Sequence, residues 1–354
     1  METNTIFEDH GWRYISTFLP EDIEESSVRL GALVRRRNIP DAETLLRIII
    51  AYAISDMSLK DVSAWASSMD LSQLRGPSLH HRLTKAAPWL EDVLRQVIQP
   101  SLPEISKDFT FKAVDATVIC GPGATGTEWR LHVVSNPKRG CLCSFELTDR
   151  FVGERLDLHT FNEGDVALGD RVYSTANGIY AVRQSKAHVI VRTNPHTLRV
   201  CDMDGKIIKL KDFNKKVPDI GVLNLNLLIP IPPIRKTKSH RTWPLKTARD
   251  MIPARVIGSK TKRGEVIWVL TTLEEEALSA VDVLRAYRFR WQIELLFKRL
   301  KSLLNLDSIP IKEKGPTAKA WILARLLAAA LVHKLVDGEQ AFSPWGYELR
   351  SQRL

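Results

Sequence analysis

The densest chemistry in this chain lies in the run Tyr287-Arg-Phe-Arg290-Trp291-Gln-Ile-Glu294-Leu-Leu-Phe-Lys298-Arg-Leu-Lys301. No Pro or Gly interrupts it and good helix formers dominate, which predicts one continuous helix within a helical stretch from Leu278 to Leu304. At about 100° per residue, Tyr287, Arg290, Glu294 and Lys301 fall within roughly 60° of one another. Ile293, Leu296, Phe297, Leu300, Leu303 and Leu304 gather on a separate apolar sector. A carboxylate ringed by cations and a tyrosine suits a site that holds both a metal ion and a phosphodiester. The plainer alternative is a solvated face on which Arg290 and Glu294 pair at i, i+4.

Two further carboxylates stand in settings that need an explanation. Asp115 lies inside Phe111-Lys-Ala-Val114-Asp115-Ala-Thr-Val-Ile119, where strand formers flank it on both sides. Burying such a carboxylate is unfavourable unless something pairs with it, so it is either functional or an edge-strand or ion-paired aspartate. Asp170 ends Val166-Ala-Leu-Gly169-Asp170-Arg171-Val-Tyr173, where a strand gives way to the loop before a helix. Sites collect at such strand ends, although the same position also serves as the cap of the next helix.

The elements that would carry these residues follow in order. Residues 1–105 read as an all-helical N-terminal domain. One helix is expected over Glu21 to Arg37, stopped by Pro40, and a second begins at Asp41 as N-cap. Ser58 caps a short third helix, and Pro77 opens another over Ser78 to Lys85. The last two resemble a helix-turn-helix, with His80, His81, Arg82 and Lys85 facing outward, though helix pairs of this kind are also common in domains that touch no DNA. From residue 106 the texture changes: strands are expected over Phe109–Ile119, Trp129–Val134, Leu142–Thr148, Val166–Gly169 and Val189–Thr193, with a helix over Ser174–Ala187. Three neighbouring strands, then helix, strand, helix, strand is the order of a ribonuclease-H-like core, an α/β fold with a mixed sheet. Residues 194–268 are rich in Pro and in short alternating runs, a β-rich insertion whose basic loop Arg235 to Arg241 is a candidate phosphate contact. The catalytic domain is expected to run to residue 310, and 311–354 to form a C-terminal helix, Pro316 to Val336, and a tail.

Bulk properties agree with a nucleic-acid partner. Lys and Arg number 51 against 41 Asp and Glu, a formal net charge of +10 that favours a polyanion. The four cysteines lack the number and spacing of a disulfide framework or a zinc site. No leader-like N-terminus or membrane-length apolar run is found, so a soluble cytoplasmic protein is expected. The nine histidines form no chelating pair, and no Ser/His/Asp or Cys/His set stands out.

The spacing Tyr287-x2-Arg290-x3-Glu294-x6-Lys301, with the two aspartates upstream, resembles the Tyr-Arg-Glu-Lys signature of bacterial insertion-sequence transposases of the DDE class, in the family numbered four. The resemblance extends over most of the chain, through the Asp115 strand, the Gly169-Asp170-Arg171-x-Tyr173 segment and the β insertion. It departs at Ala116-Thr117, where Gly-Thr or Gly-Ser is often seen after the first aspartate. The resemblance implies that Asp115, Asp170 and Glu294 are catalytic and bind Mg²⁺ or Mn²⁺, two ions roughly 3.5–4 Å apart in such sites, for which hard oxygen ligands are suited. It also implies that Tyr287, Arg290 and Lys301 contact transposon-end phosphates, and it adds Arg171 and Tyr173 to the DNA-facing set. Trp291 is either a base-stacking residue or a packed aromatic on the helix rim.

The function so implied is cut-and-paste DNA transposition: hydrolysis at terminal inverted repeats, then strand transfer to target DNA by a dimer bound to double-stranded DNA in the nucleoid. The alternative is a catalytically inactive, transposase-derived DNA-binding protein. A cellular nuclease of the same fold is a third reading, distinguished by its indifference to particular DNA ends.

Overall fold

The computed structural model describes residues 10–55, 57–98, 109–124, 126, 128–196, 198–233, 243–304, 309–311 and 315–338. These fall into two compact units, one of residues 1–101, 119–128 and 298–354, the other of 102–118 and 129–297.

The helical unit begins with α1 (His10–Ser16), α2 (Ile23–Arg29), α3 (Ala42–Ile54), α4 (Leu59–Ser68) and α5 (Gly76–Ile98). Local signals act as expected at two starts. Asp41 accepts from the Thr44 amide at 2.7 Å, and Ser58 and Asp61 form a reciprocal capping box. Two expectations need correction. The helix anticipated over Glu21 to Arg37 stops at Arg29, because Gly31 takes a φ of +79° and turns the chain. The short helix anticipated over Ser78 to Lys85 instead continues for 23 residues through Pro88. Trp89, Leu90, Val93, Leu94 and Val97 are all buried, and their packing carries the helix past the hydrogen bond that Pro88 cannot make. His80, His81 and Lys85 do face solvent, whereas Arg82 donates to the carbonyls of Ala32 and Arg35 and so ties α5 to the turn after α2.

The second unit is built on one ten-stranded sheet. Its strands are β1 (Thr110–Ile119), β2 (Trp129–Asn136), β3 (Cys141–Asp149), β4 (Asp165–Gly169), β5 (His188–Thr193), β6 (Val200–Cys201), β7 (Ile207–Ile208), β8 (Leu223–Ile231), β9 (Asp250–Lys260) and β10 (Val266–Thr271). They lie in the order β3-β2-β1-β4-β5-β10-β9-β8-β6-β7. β4 is parallel to both β1 and β5. The first five strands, with α6 (Ala176–Gln184) crossing between β4 and β5, give the ribonuclease-H-like arrangement expected from the sequence. The proline-rich stretch is indeed β-rich, but it extends the same sheet: β10 pairs with β5 and β9 with β10. The basic loop Arg235 to Arg241 and the tail beyond residue 338 lie outside the described residues.

Two helices follow, α7 (Ala280–Arg288) and α8 (Trp291–Leu304). α7 packs on β5 and β10. The single helix expected across Tyr287–Lys301 is therefore broken at Phe289-Arg290. No Gly or Pro causes the break. Amides there reach three residues back rather than four: Phe289 to Ala286, Arg290 to Tyr287, Gln292 to Phe289 and Ile293 to Arg290. The helix tightens without reversing, since Phe289 stays right-handed at φ −64°, ψ −17°.

The last helix, α9 (Pro316–Gly338), belongs to the helical unit, not to a separate C-terminal part. It packs on α5 and α3, with Lys319 paired to Glu91 at 2.7 Å and the buried Arg325 donating to the Ala53 carbonyl.

Candidate active site

β1 and β4 pair with a constant offset, Thr110 beside Asp165 through Ala113 beside Leu168. Continuing that offset of 55 positions (165 − 110) brings Asp115 level with Asp170 just past the last paired residues. Two aspartates remote in sequence thus stand side by side on adjacent parallel strands, at the end of the sheet where α/β sites collect. Each is steadied by nearby backbone: Asp115 accepts from the Ala116 amide and Asp170 from the Val172 amide, both at 2.8 Å. Val114, Ala167 and Leu168 are fully buried, so the strands under both carboxylates are fixed by packing.

Burial raises the Asp115 carboxyl to about 6, the Ala116 amide and Arg290 oppose the rise, and Asp170 and Glu154 add to it by repulsion. A carboxyl raised by burial and further by neighbouring carboxylates is one that a cation would relieve.

The third carboxylate of the signature behaves differently. Glu294 is more than half exposed and receives Arg290 Nη2 at 2.6 Å. Arg290 is held in turn by Tyr287, whose ring lies 5.9 Å from its guanidinium. Burial lowers the Arg290 pKa, but Glu294 and Tyr287 outweigh this and raise it overall. Burial pushes the Tyr287 hydroxyl up, while Arg290 and Arg192 draw it down and Asp170 adds to the rise. Arg290 is thus paired with Glu294, and its charge also lowers the Asp115 carboxyl against the effect of burial. Among the described residues no three carboxylates, histidines or thiols stand close enough to hold a metal ion together. The structure brings Asp115 and Asp170 side by side, while the Glu294 carboxylate is engaged by Arg290.

As candidates for DNA contact, Arg171 is exposed and Trp291 is 50% exposed. Lys301 is half-buried and lies in the part of α8 that belongs to the helical unit. Tyr173 requires a correction. Its ring is fully buried and cannot lie against a DNA strand. A Cβ on Gly169 would come within 2.9 Å of the Tyr173 Cβ, so the glycine of Gly169-Asp170-Arg171-Val-Tyr173 is what lets this ring fold under the strand end. Two neighbours of the site had no signature in the sequence. Glu154 lies in the loop after β3 and Arg192 on β5, and only the fold brings them within reach of Asp170 and Tyr287.

The chain is similar to known transposases. The domain described as "Transposase DDE domain" matches residues 107–331. The transposase for insertion sequence element IS421 of Escherichia coli is 34% identical over 348 residues, covering 92% of this chain and 93% of that protein. InsL, assigned as the transposase of insertion sequence element IS186A in Escherichia coli K12, is 34% identical over 347 residues with the same coverage. Among solved structures, the piggyBac transposase in a synaptic complex with hairpin DNA is similar in fold, with a TM-score of 0.52 at 9% identity over 93% of this chain and 76% of that one.

Proposed function

Because the chain belongs to the DDE transposase family of insertion sequences, we propose that it excises its element by hydrolysing double-stranded DNA at the terminal inverted repeats and then joins the freed 3′ end to target DNA. A hairpin on the element's end is the intermediate that the resemblance implies. Transposition is the shared activity of its relatives, and enzymes of this family generally use divalent metal ions.

The observation that carries the reading is the level placement of Asp115 and Asp170 on adjacent parallel strands. Their oxygens, with those of Glu294, are hard donors that fit Mg²⁺ or Mn²⁺, two ions in our reading. Such ions supply the positive charge that makes a phosphodiester open to attack and its leaving oxygen stable. The chain's own residues do the rest. The aspartates fix the position of the centre. Arg290, raised in pKa and adjacent to Asp115, presents a permanent cation to a phosphate. Tyr287 steadies that guanidinium. Arg171, Lys301 and Trp291 provide further contacts to phosphates and bases. The net charge of +10 supplies the general attraction to DNA. Bringing two ends together calls for a dimer on DNA. Among the described residues no helix is long and apolar enough to cross a membrane, and we place the protein in the cytoplasm, on the nucleoid.

The test is cleavage of duplexes bearing the element's ends, in Mg²⁺ or Mn²⁺, by the wild type and by Asp115→Asn and Asp170→Asn. We expect end-specific nicking by the wild type alone, with end binding retained by both variants. Binding without nicking by the wild type would favour the inactive DNA-binding protein, and equal cutting of scrambled duplexes would favour a general nuclease.

A further inference from the structure

The geometry points to a surface in the helical unit, made jointly by the turn after α2 and the start of α5, that grips the phosphate backbone of a duplex without reading its sequence. The proposal rests on the reading above that DNA is the partner.

Two stretches remote in sequence supply the charge. Residues 32–38 hold Arg35, Arg36 and Arg37, residues 75–85 hold Arg75, Arg82 and Lys85, and neither stretch contains an Asp or Glu. Arg82 joins them, donating from one guanidinium to the carbonyls of Ala32 and Arg35. The Ser72 hydroxyl donates to the Asn38 carbonyl at 2.6 Å and accepts from the Leu74 amide at 3.1 Å, which fastens the far end of the turn just ahead of α5. Ala32, Leu33 and Ile39 are buried on either side of the arginines. The turn is therefore held at both ends while the three guanidinium-bearing residues between them stay exposed. Arg36 pairs with Glu24 at 2.5 Å, and the second oxygen of that carboxylate accepts from the Ala42 amide at 2.7 Å. Among the described residues Arg35, Arg37 and Lys85 have no ion-pair partner.

Cations fixed together without counter-charges suit a polyanion. What α5 presents decides how that polyanion is held. At about 100° per residue, Ser78, His81 and Lys85 form one exposed row, with Arg82 along its edge. The side chains that fix a base by two hydrogen bonds at once are forked: Arg on guanine, Asn or Gln on adenine. The row offers none. Arg82, whose fork would suit guanine, is committed to two carbonyls of the protein itself. With α5 toward a groove, Arg35 and Arg37 fall at its flank, where the phosphates run. Contacts of that kind set the register of a duplex and carry no sequence information.

Binding of the full chain to two duplexes over a salt series tests this, one duplex bearing the element's ends and the other scrambled. We expect Arg35→Gln and Arg37→Gln, made together, to weaken binding of both duplexes alike, about tenfold, and to lower the slope of log affinity against log salt by about two. Lys85→Gln should lower that slope by about one. Arg82→Gln should lower the melting temperature, because it unfastens the turn, and should also weaken both duplexes alike. Lys186→Gln removes an exposed cation of the other unit and should leave affinity and slope unchanged. A loss confined to the end-bearing duplex would show that the surface reads sequence and would overturn the proposal. So would wild-type affinity and slope in the Arg35→Gln, Arg37→Gln variant; either result leaves DNA standing as the partner. A wild type that bound neither duplex, or bound both with a flat salt response, would overturn the proposal and the reading beneath it.

Discussion

The aspartates and the glutamate of the proposed site are presented by opposite means. Asp115 follows the wholly buried Val114 and Asp170 follows a strand with Ala167 and Leu168 wholly buried, and each carboxylate is tied to a backbone amide one or two residues away. Short side chains on a packed sheet have almost no freedom, so this half of the site is formed before any ligand arrives. Glu294 is borne by a helix, more than half exposed, on a longer side chain whose carboxylate is already engaged by Arg290. This half is a pair that must be rearranged. The pair is partly exposed, so its own stabilisation is small, well under 1 kcal/mol, and a divalent ion beside the aspartates would readily outcompete it. The division is between a fixed platform and a movable arm, with Arg290 as the latch.

The largest effects should come from the platform. Asp115→Asn or Asp170→Asn should lower cleavage of end-bearing DNA by roughly 10³-fold or more, as loss of a group that acts as part of a unit does. End binding and melting temperature should stay close to wild type. Asparagine in place of Asp115 also removes the repulsion with Asp170, so a small gain in metal-free stability is expected. A variant that keeps cleavage within tenfold would break the platform's claim to the chemistry.

Releasing the latch should have an intermediate effect. Arg290→Ala frees the Glu294 carboxylate, so Mn²⁺ affinity should hold or rise while cleavage falls roughly 10- to 100-fold through the lost cation. Glu294→Gln should do the reverse, lowering Mn²⁺ affinity and leaving Arg290 able to bind phosphate. If both variants lost Mn²⁺ binding alike, the arm would be no more movable than the platform.

How much of this division was legible beforehand follows from what is local. Asp41 and Ser58 act as caps because a side chain meets an amide three residues on, and β1 through β5 follow from runs of β-branched and apolar residues. Asp115 and Asp170 could be singled out because a carboxylate in or at the end of such a strand is conspicuous. What could not be read depends on distant partners. The tightening at Phe289-Arg290 follows from no residue type in that run. The extension of the sheet by β8 to β10 depends on β10 pairing with β5, 75 positions earlier in sequence where Trp268 meets Thr193 (268 − 193). Glu154 and Arg192 look like ordinary surface charges until the sheet gathers them, and Tyr173 looks like a DNA contact until burial turns it inward.

The platform should also be distinguishable from the arm by its response to acid. His132 on β2 is fully buried, and the His159 ring stands 6.4 Å from it, edge-on, and 6.5 Å from Phe161 in the core that supports Val114. Burial pulls both imidazoles down to about 4, helped by Arg130 and Arg155 at His132 and by His132 at His159. In the unfolded chain they take up protons near 6.5, whereas the folded chain resists until about 4, so stability is full above 6.5 and is lost as pH falls through that window. The expected loss is on the order of 3 kcal/mol for the two rings together, after allowance for screening. Urea unfolding at pH 7 and pH 4.5 measures it, and His132→Gln should flatten the dependence. An unchanged slope in that variant would place the acid sensitivity elsewhere.

The smallest effect belongs to the rim of the arm. Trp291 is 50% exposed one residue beyond Arg290 and opens α8. If it stacks on a base, Trp291→Ala should weaken binding of a DNA end by about 1–2 kcal/mol, roughly 5- to 30-fold, with Mn²⁺ affinity and melting temperature unaltered. The loss should be larger for a substrate with an unpaired base beside the cleavage point than for a continuous duplex, because only an unstacked base offers its face. A drop in melting temperature with no change in DNA affinity would instead show the indole packing along the helix, and the arm would then end at Arg290.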